Sequence, residues 1–212
     1  MISRRSFAYD RRLLASPYLA ALEATSRDLP SAVARTGLSI GYPAWNLLYY
    51  CLLCGVSGAE AVVVETGTNH GCSTIVMAQA LVDAGVAGVV RTVDADARAV
   101  AVARGHAARA GVADRIRFSV GDSAAFLERL GSEVERVDFA FLDADHGADH
   151  VEREFALVHP LVAACGGKVY FDNTSSGGVA EALRRIRARF GGSMVEFANC
   201  SWSPPGNAIW QP

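Results

Sequence analysis

The 212 residues are 51% apolar and 20% charged, enough for one domain with a substantial core, and they exclude a disordered chain. Twenty basic side chains against 22 acidic ones leave a net charge of −2, which excludes a strongly basic nucleic-acid binder and gives no pull toward a membrane surface. No apolar run approaches the ~18 residues needed to cross a bilayer, and MISRRSFAYDRRLL lacks the apolar centre of a secretory signal, so the expected location is the cytoplasm.

Residues 1–60 read as an N-terminal helical extension, rich in Arg, Ala, Leu and aromatics. Pro17 and Pro43 mark helix starts, and Gly55 and Gly58 mark a stop. Tyr42 and Trp45 lie just before an apolar helix, where they would shape a substrate site, add a helical layer or form a homodimer surface. Cys51 and Cys54 make a CxxC inside LLYYCLLCGV, with no second CxxC or His pair to complete a metal site, and read as two buried helix cysteines. Five scattered cysteines in all argue against a disulfide framework.

From residue 61 apolar β-branched runs alternate with amphipathic stretches. Strands are expected at 61–65, 89–94, 115–120, 137–143 and 168–172. Helices are expected at 73–83, 98–110, 123–130, 149–163 and 179–190. Near-continuous apolar strands separated by helices indicate a parallel sheet covered on both faces. Two further strands, near 194–199 and 207–210, flank the turn-rich SPPG. The expected fold is therefore a Rossmann-like, doubly wound α/β domain over 61–212, with a seven-stranded, mostly parallel sheet.

Each of the first five strands ends at, or is followed by, a carboxylate: Glu65, Asp94, Asp122, Asp143 and Asp172. Open α/β sheets bind ligands outside the carboxyl ends of their strands, and neighbouring strands lie about 4.8 Å apart. Five acids on one rim repel one another unless cations sit among them. The rim thus predicts cationic ligands: a metal ion, a positively charged cofactor, or both. Asp122, Asp96 and Asp149 also suit helix caps.

The first turn reads Glu65-Thr66-Gly67-Thr68-Asn69-His70-Gly71-Cys72-Ser73. Neither G-x-G-x-x-G nor G-K-[ST] is present, which counts against a dinucleotide or phosphate loop. Gly67 and Gly71 permit a tight turn close to a ligand, and Glu65 suits an ammonium group. Asp94 suits ribose hydroxyls, and Gly121-Asp122-Ser123 suits a base.

E-x-G-x-x-x-G-x-S, then T-V-D-A-D, then V-G-D-S, in that order, resemble the class I S-adenosylmethionine-dependent methyltransferases over about residues 40–212. The resemblance implies that Glu65, Gly67, Thr68, Asn69, Gly71 and Ser73 surround the methionine part of the cofactor. Asp94 would hold the ribose, and Asp122 and Ser123 would lie by the adenine. Farther along, FLDAD and YFDNT resemble the divalent-cation-dependent O-methyltransferases of the catechol and caffeoyl-CoA type. In that family the positions of Asp143, Asp172 and Asn173 hold Mg²⁺ or a similar ion, which agrees with that ion's preference for oxygen ligands. His146 departs from that type, which carries lysine there, and matches a related bacterial group with D-x-D-H. An imidazole of ordinary pKa, about 6.5, is neutral at pH 7 and able to accept a proton. His150, four residues on, is placed to share a helix face with His146.

The implied activity is methyl transfer from S-adenosylmethionine to a hydroxyl of a small-molecule acceptor, with a divalent cation at Asp143, Asp172 and Asn173 and with His146 and Asp143 catalytic. A metal-independent methyltransferase acting on nitrogen or carbon, and a cofactor-binding module without catalysis, are the competing readings.

Overall fold

A computed structural model describes residue 40 and residues 44–56, 58–197 and 206–212. The chain runs α1 (Ala44–Gly55), β1 (Glu60–Thr66), α2 (Cys72–Asp83), β2 (Ala87–Asp94), α3 (Ala97–Ala110), a 3₁₀ turn (Ala113–Arg115) and β3 (Ile116–Val120). It continues through α4 (Ser123–Glu133), β4 (Phe139–Leu142), α5 (Ala148–Ala163), β5 (Lys168–Phe171), α6 (Gly177–Phe190), β6 (Ser193–Phe197) and β7 (Asn207–Gln211). The expected strands are all present, with no end of β1 to β5 displaced by more than two residues.

The sheet order is β3-β2-β1-β4-β5-β7-β6. The first five strands pair in parallel; β7 is antiparallel to both β5 and β6. The winding direction reverses between β1 and β4, so the ligand crevice is expected outside their carboxyl ends.

Successive strand residues face opposite layers. Val63, Phe139, Phe141, Tyr170 and Ile209 are buried on one face with α1 and α2. Val64, Ala140, Leu142, Phe171, Ala208 and Trp210 are buried on the other, with α4, α5 and α6. This two-sided burial explains why the strands read as unbroken apolar runs. Helix α1 is part of the same core: Trp45, Leu48 and Leu52 are fully covered, and Tyr170 Oη donates to the Ala44 carbonyl at 3.4 Å.

Trp45 is wholly buried among core residues, as the added helical layer requires. One expectation for this region changes. Cys51 is buried but Cys54 is exposed, because α1 turns its last residues away from the core. Tyr42, Pro17 and the segment 1–39 lie outside the described residues, as does Cys200. Among the described residues no helix is long and apolar enough to cross a membrane.

Candidate active site

The turn after β1 is held from beneath by Glu65. Its side chain is completely buried. Ser73 Oγ donates to Oε1 at 2.5 Å, Thr92 Oγ1 donates to Oε2 at 2.6 Å, and Thr74 Oγ1 also donates to Oε2. Thr92 has one hydroxyl proton and gives it to Glu65, so Thr68 is the donor in the 2.5 Å contact between the two threonines. A carboxylate expected on the open rim is instead the hub that ties β1, β2, α2 and the turn together.

Burial pushes the Glu65 pKa up to about 7, against the pull of its three hydroxyl donors; Asp143 adds to the rise. Between the ordinary carboxyl value of 4.5 and about 7, the unfolded chain has lost this proton while the folded chain keeps it. Stability from this group is therefore complete below pH 4.5 and falls as pH rises through 7, by roughly 3 kcal/mol in total. Glu65→Gln removes that slope. In cofactor-free thermal melts from pH 5 to 8, the parent should lose stability relative to Glu65→Gln as pH rises; parallel curves would contradict the buried, protonated carboxyl.

The two glycines of the turn serve internal packing. Gly67 has φ 86°, and a Cβ there would lie 2.2 Å from the Asp143 carbonyl oxygen. Gly71, also at positive φ, caps α2 and sits against Ala103 of α3, where a Cβ would come within 2.9 Å of the alanine methyl. The tight turn expected at both glycines is present, with the Asp143 loop and α3 packed where a Cβ would stand.

Asp94 joins two loops. Asn69 N donates to Oδ2 at 2.7 Å and Asp96 N donates to Oδ1 at 2.8 Å. Each oxygen retains a second lone pair for a hydroxyl. Asp96 caps α3 through Arg98 N, and Asp122 caps α4 through Ala125 N at 2.8 Å. Asp149, expected as a cap, is the second residue of α5 and pairs with Arg185, while Gly147 takes the cap position.

Asp143 and Asp172 each follow directly on Leu142 and Phe171, which are register partners in β4 and β5. The two residues therefore stand at neighbouring strand ends, with Asn173 next in the chain. Asp172 and Asn173 are buried. Asn173 has φ 55° and Asn69 has φ 44°; among the described residues these are the non-glycine positions at positive φ, and both lie on this rim. Such strain concentrates where a side chain must be aimed.

His146 Nε2 is 3.4 Å from Asp143 Oδ1. That contact, with Asp172 and Asp145 behind it, holds the imidazole pKa above its usual value although burial opposes the rise. The neutral ring expected at pH 7 thus grips its proton more firmly beside these acids. Asp143 is itself shifted upward by burial, which His146 partly offsets.

His146 and His150 do not share a helix face. His146 precedes α5, and His150 Nε2 turns to Glu154 Oε1 at 3.1 Å and to Ser123 Oγ at 3.0 Å. Glu154 is buried and accepts Thr66 Oγ1 at 3.0 Å. A polar chain thus runs from Ser123 through His150 and Glu154 to Thr66, beneath the Asp143 loop.

A family model described as a methyltransferase domain matches residues 64–174, just over half of the chain. The chain belongs to this methyltransferase domain family. The catechol O-methyltransferase of Mycobacterium tuberculosis is 35% identical over 130 residues, covering 61% of this chain and 55% of that protein. The chain thus spans about half the length of the curated relative it matches. The O-methyltransferase of Bacillus cereus, solved with SAH, superposes with a TM-score of 0.68 at 20% identity, over 99% of this chain and 94% of its own. TomG, an O-methyltransferase of Streptomyces achromogenes solved with SAM, superposes with a TM-score of 0.68 at 19% identity, over 95% and 89%. At these identities the structural likeness speaks for the fold.

Within this methyltransferase domain, a divalent cation is tested by the donor set. Two carboxylates and an amide oxygen on adjacent strand ends are all hard oxygen donors, as Mg²⁺ or Mn²⁺ requires. Among the described residues no three His, Cys, Asp or Glu side chains form a ready cluster, so Asn173 and waters would have to complete the sphere. The residues fit such an ion.

Sequence reasoning missed Thr92, Thr74, Glu154 and Asn207. The H-x-x-x-E spacing of His150 and Glu154 was a legible helix-face pair. Thr92 and Asn207 carry no local signal, since their partners Glu65 and Asp172 are far away in the chain.

Proposed function

We propose that this chain transfers a methyl group from S-adenosylmethionine to a hydroxyl of a small molecule, with a divalent cation held by Asp143, Asp172 and Asn173. The observation that carries the reading is the placement of that oxygen donor set directly across the β1/β4 reversal from the Glu65–Asp94 turn. The family and the named activities of its relatives support it.

In this reading Asp94 accepts the ribose hydroxyls. Thr68, Asn69, Gly67, Gly71 and Ser73, fixed by Glu65, form the wall around the methionine part. Asp122 and Ser123 border the adenine. A bound cation would supply positive charge that lowers the pKa of an acceptor hydroxyl and orients it. His146, whose Nε2 faces Asp143, removes the hydroxyl proton through Nδ1, the nitrogen left with a lone pair in the neutral ring. The acceptor oxygen then forms its bond to the methyl carbon as the bond from that carbon to the sulfonium sulfur breaks. The sulfonium and ammonium groups also answer the negative rim.

Calorimetric titration with S-adenosylmethionine, followed by turnover on a panel of catechols, phenolic acids and sugar hydroxyls, tests the proposal. Asp94→Ala should weaken cofactor binding by roughly 1.5–3 kcal/mol, the range for a hydrogen bond to a charged group. Unchanged affinity would remove Asp94 from the site. Absence of any cofactor binding by the parent would overturn the function.

A further inference from the structure

Asn207 is the first residue of β7 and is fully buried. Ala208 pairs with Phe171 in antiparallel register, which sets Asn207 opposite Asp172. Its Nδ2 donates to Asp172 Oδ1 at 2.5 Å. The orientation of the amide is fixed by chemistry: an ionised carboxylate only accepts, so the NH₂ group must face it. The carbonyl oxygen is thereby turned the other way. Among the described residues, Asn207 Oδ1 is buried and has no hydrogen-bond partner. Buried carbonyls left without a donor are unfavourable and uncommon.

The strand is also anchored to the turn that bears the carboxylate. Thr174 N donates to the Gly206 carbonyl at 3.1 Å. Gly206 has φ 103°, and a Cβ there would come within 2.3 Å of Thr174 Oγ1. The Asp172–Thr174 turn and the start of β7 are thus a single packed unit, with Asn207 at its centre.

We infer that Asn207 is a positioning residue for the cation site. Its NH₂ holds one oxygen of Asp172 and so fixes the direction of the carboxylate. The inference rests on the proposed function above, in which Asp172 is a ligand. Partners that orient a ligating carboxylate typically change metal affinity 10–100-fold when removed.

The probe is Mn²⁺ alone, titrated into the full chain and followed by electron paramagnetic resonance, with S-adenosylmethionine affinity and melting temperature measured on the same samples. Asn207→Ala should raise the Mn²⁺ Kd by about 10–100-fold and leave the cofactor Kd within about twofold of the parent. Asn207→Ser, milder for folding because it keeps a small polar side chain at the strand start, should show the same split. Mn²⁺ affinity unchanged in a folded variant would overturn the inference. So would a joint loss of ion and cofactor affinity with a lowered melting temperature, which marks a purely structural role. A parent that binds no Mn²⁺ would instead overturn the cation reading itself, and this inference with it.

Discussion

Asp172→Ala is expected to remove cation-dependent methyl transfer, with kcat/KM falling by at least about 10²-fold while cofactor binding stays nearly intact. The residues proposed to hold the cofactor belong to β1, β2 and β3 and their turns, whereas Asp172 follows β5 and contacts Asn173 N and Asn207 Nδ2. Removing the carboxylate also leaves those two buried donors without this acceptor, so part of the loss is structural. Asp172→Asn, which keeps the volume and one acceptor oxygen, separates the two effects: it should melt close to the parent yet remain inactive. The measurement is turnover after chelator treatment and after add-back of Mg²⁺, Mn²⁺ or Ca²⁺. Full parental activity in chelator would refute the cation reading and favour metal-independent transfer to nitrogen or carbon, with Asp143 and Asp172 organising loops only.

His146→Ala should leave both ligands bound but slow the chemical step by about 10²–10⁴-fold, the usual contribution of a positioned general base. The imidazole is half-exposed, and Asp143 is the acid nearest to it. Its removal deletes a proton acceptor without emptying the core. The deficit should shrink as pH rises, because an acceptor that has ionised in solution no longer needs the imidazole. A pH–rate profile of the variant against the parent decides the matter. A parental rate at neutral pH would strip His146 of its role and leave the oxygen donors in place.

The architecture was legible because burial on both faces writes strands as apolar runs. Val62–Val64 and Phe139–Leu142 carry that signal in full. The acids at neighbouring strand ends were legible for a related reason, since strand ends in a parallel sheet fall on one rim. What a strand-end rule does not contain is the direction of each side chain. Glu65 lies within β1 and points into the layer beneath, where hydroxyls from α2 and β2 meet it. Asn207 was hidden because its partner stands 35 residues earlier, across an antiparallel pairing that nothing in either segment announces. Cys54 misled for the opposite reason: LLYYCLLCGV is apolar throughout, so no periodicity marks which cysteine faces outward.

The place of β7 in the sheet has a consequence for how the molecule is assembled. It is the last of the seven strands to be synthesised, yet it lies between β5 and β6. The five parallel strands and their helices can gather in chain order as they emerge. Strand β6 cannot: among the described strands it pairs only with β7, so it waits at the margin without a neighbour. Docking of β7 closes two ladders at once and brings Asn207 to Asp172 in the same movement. The ends of β1 to β3 are thus in place before the end of β5 gains its neighbour, and a chain halted ahead of residue 207 would leave Asp172 without the Asn207 contact.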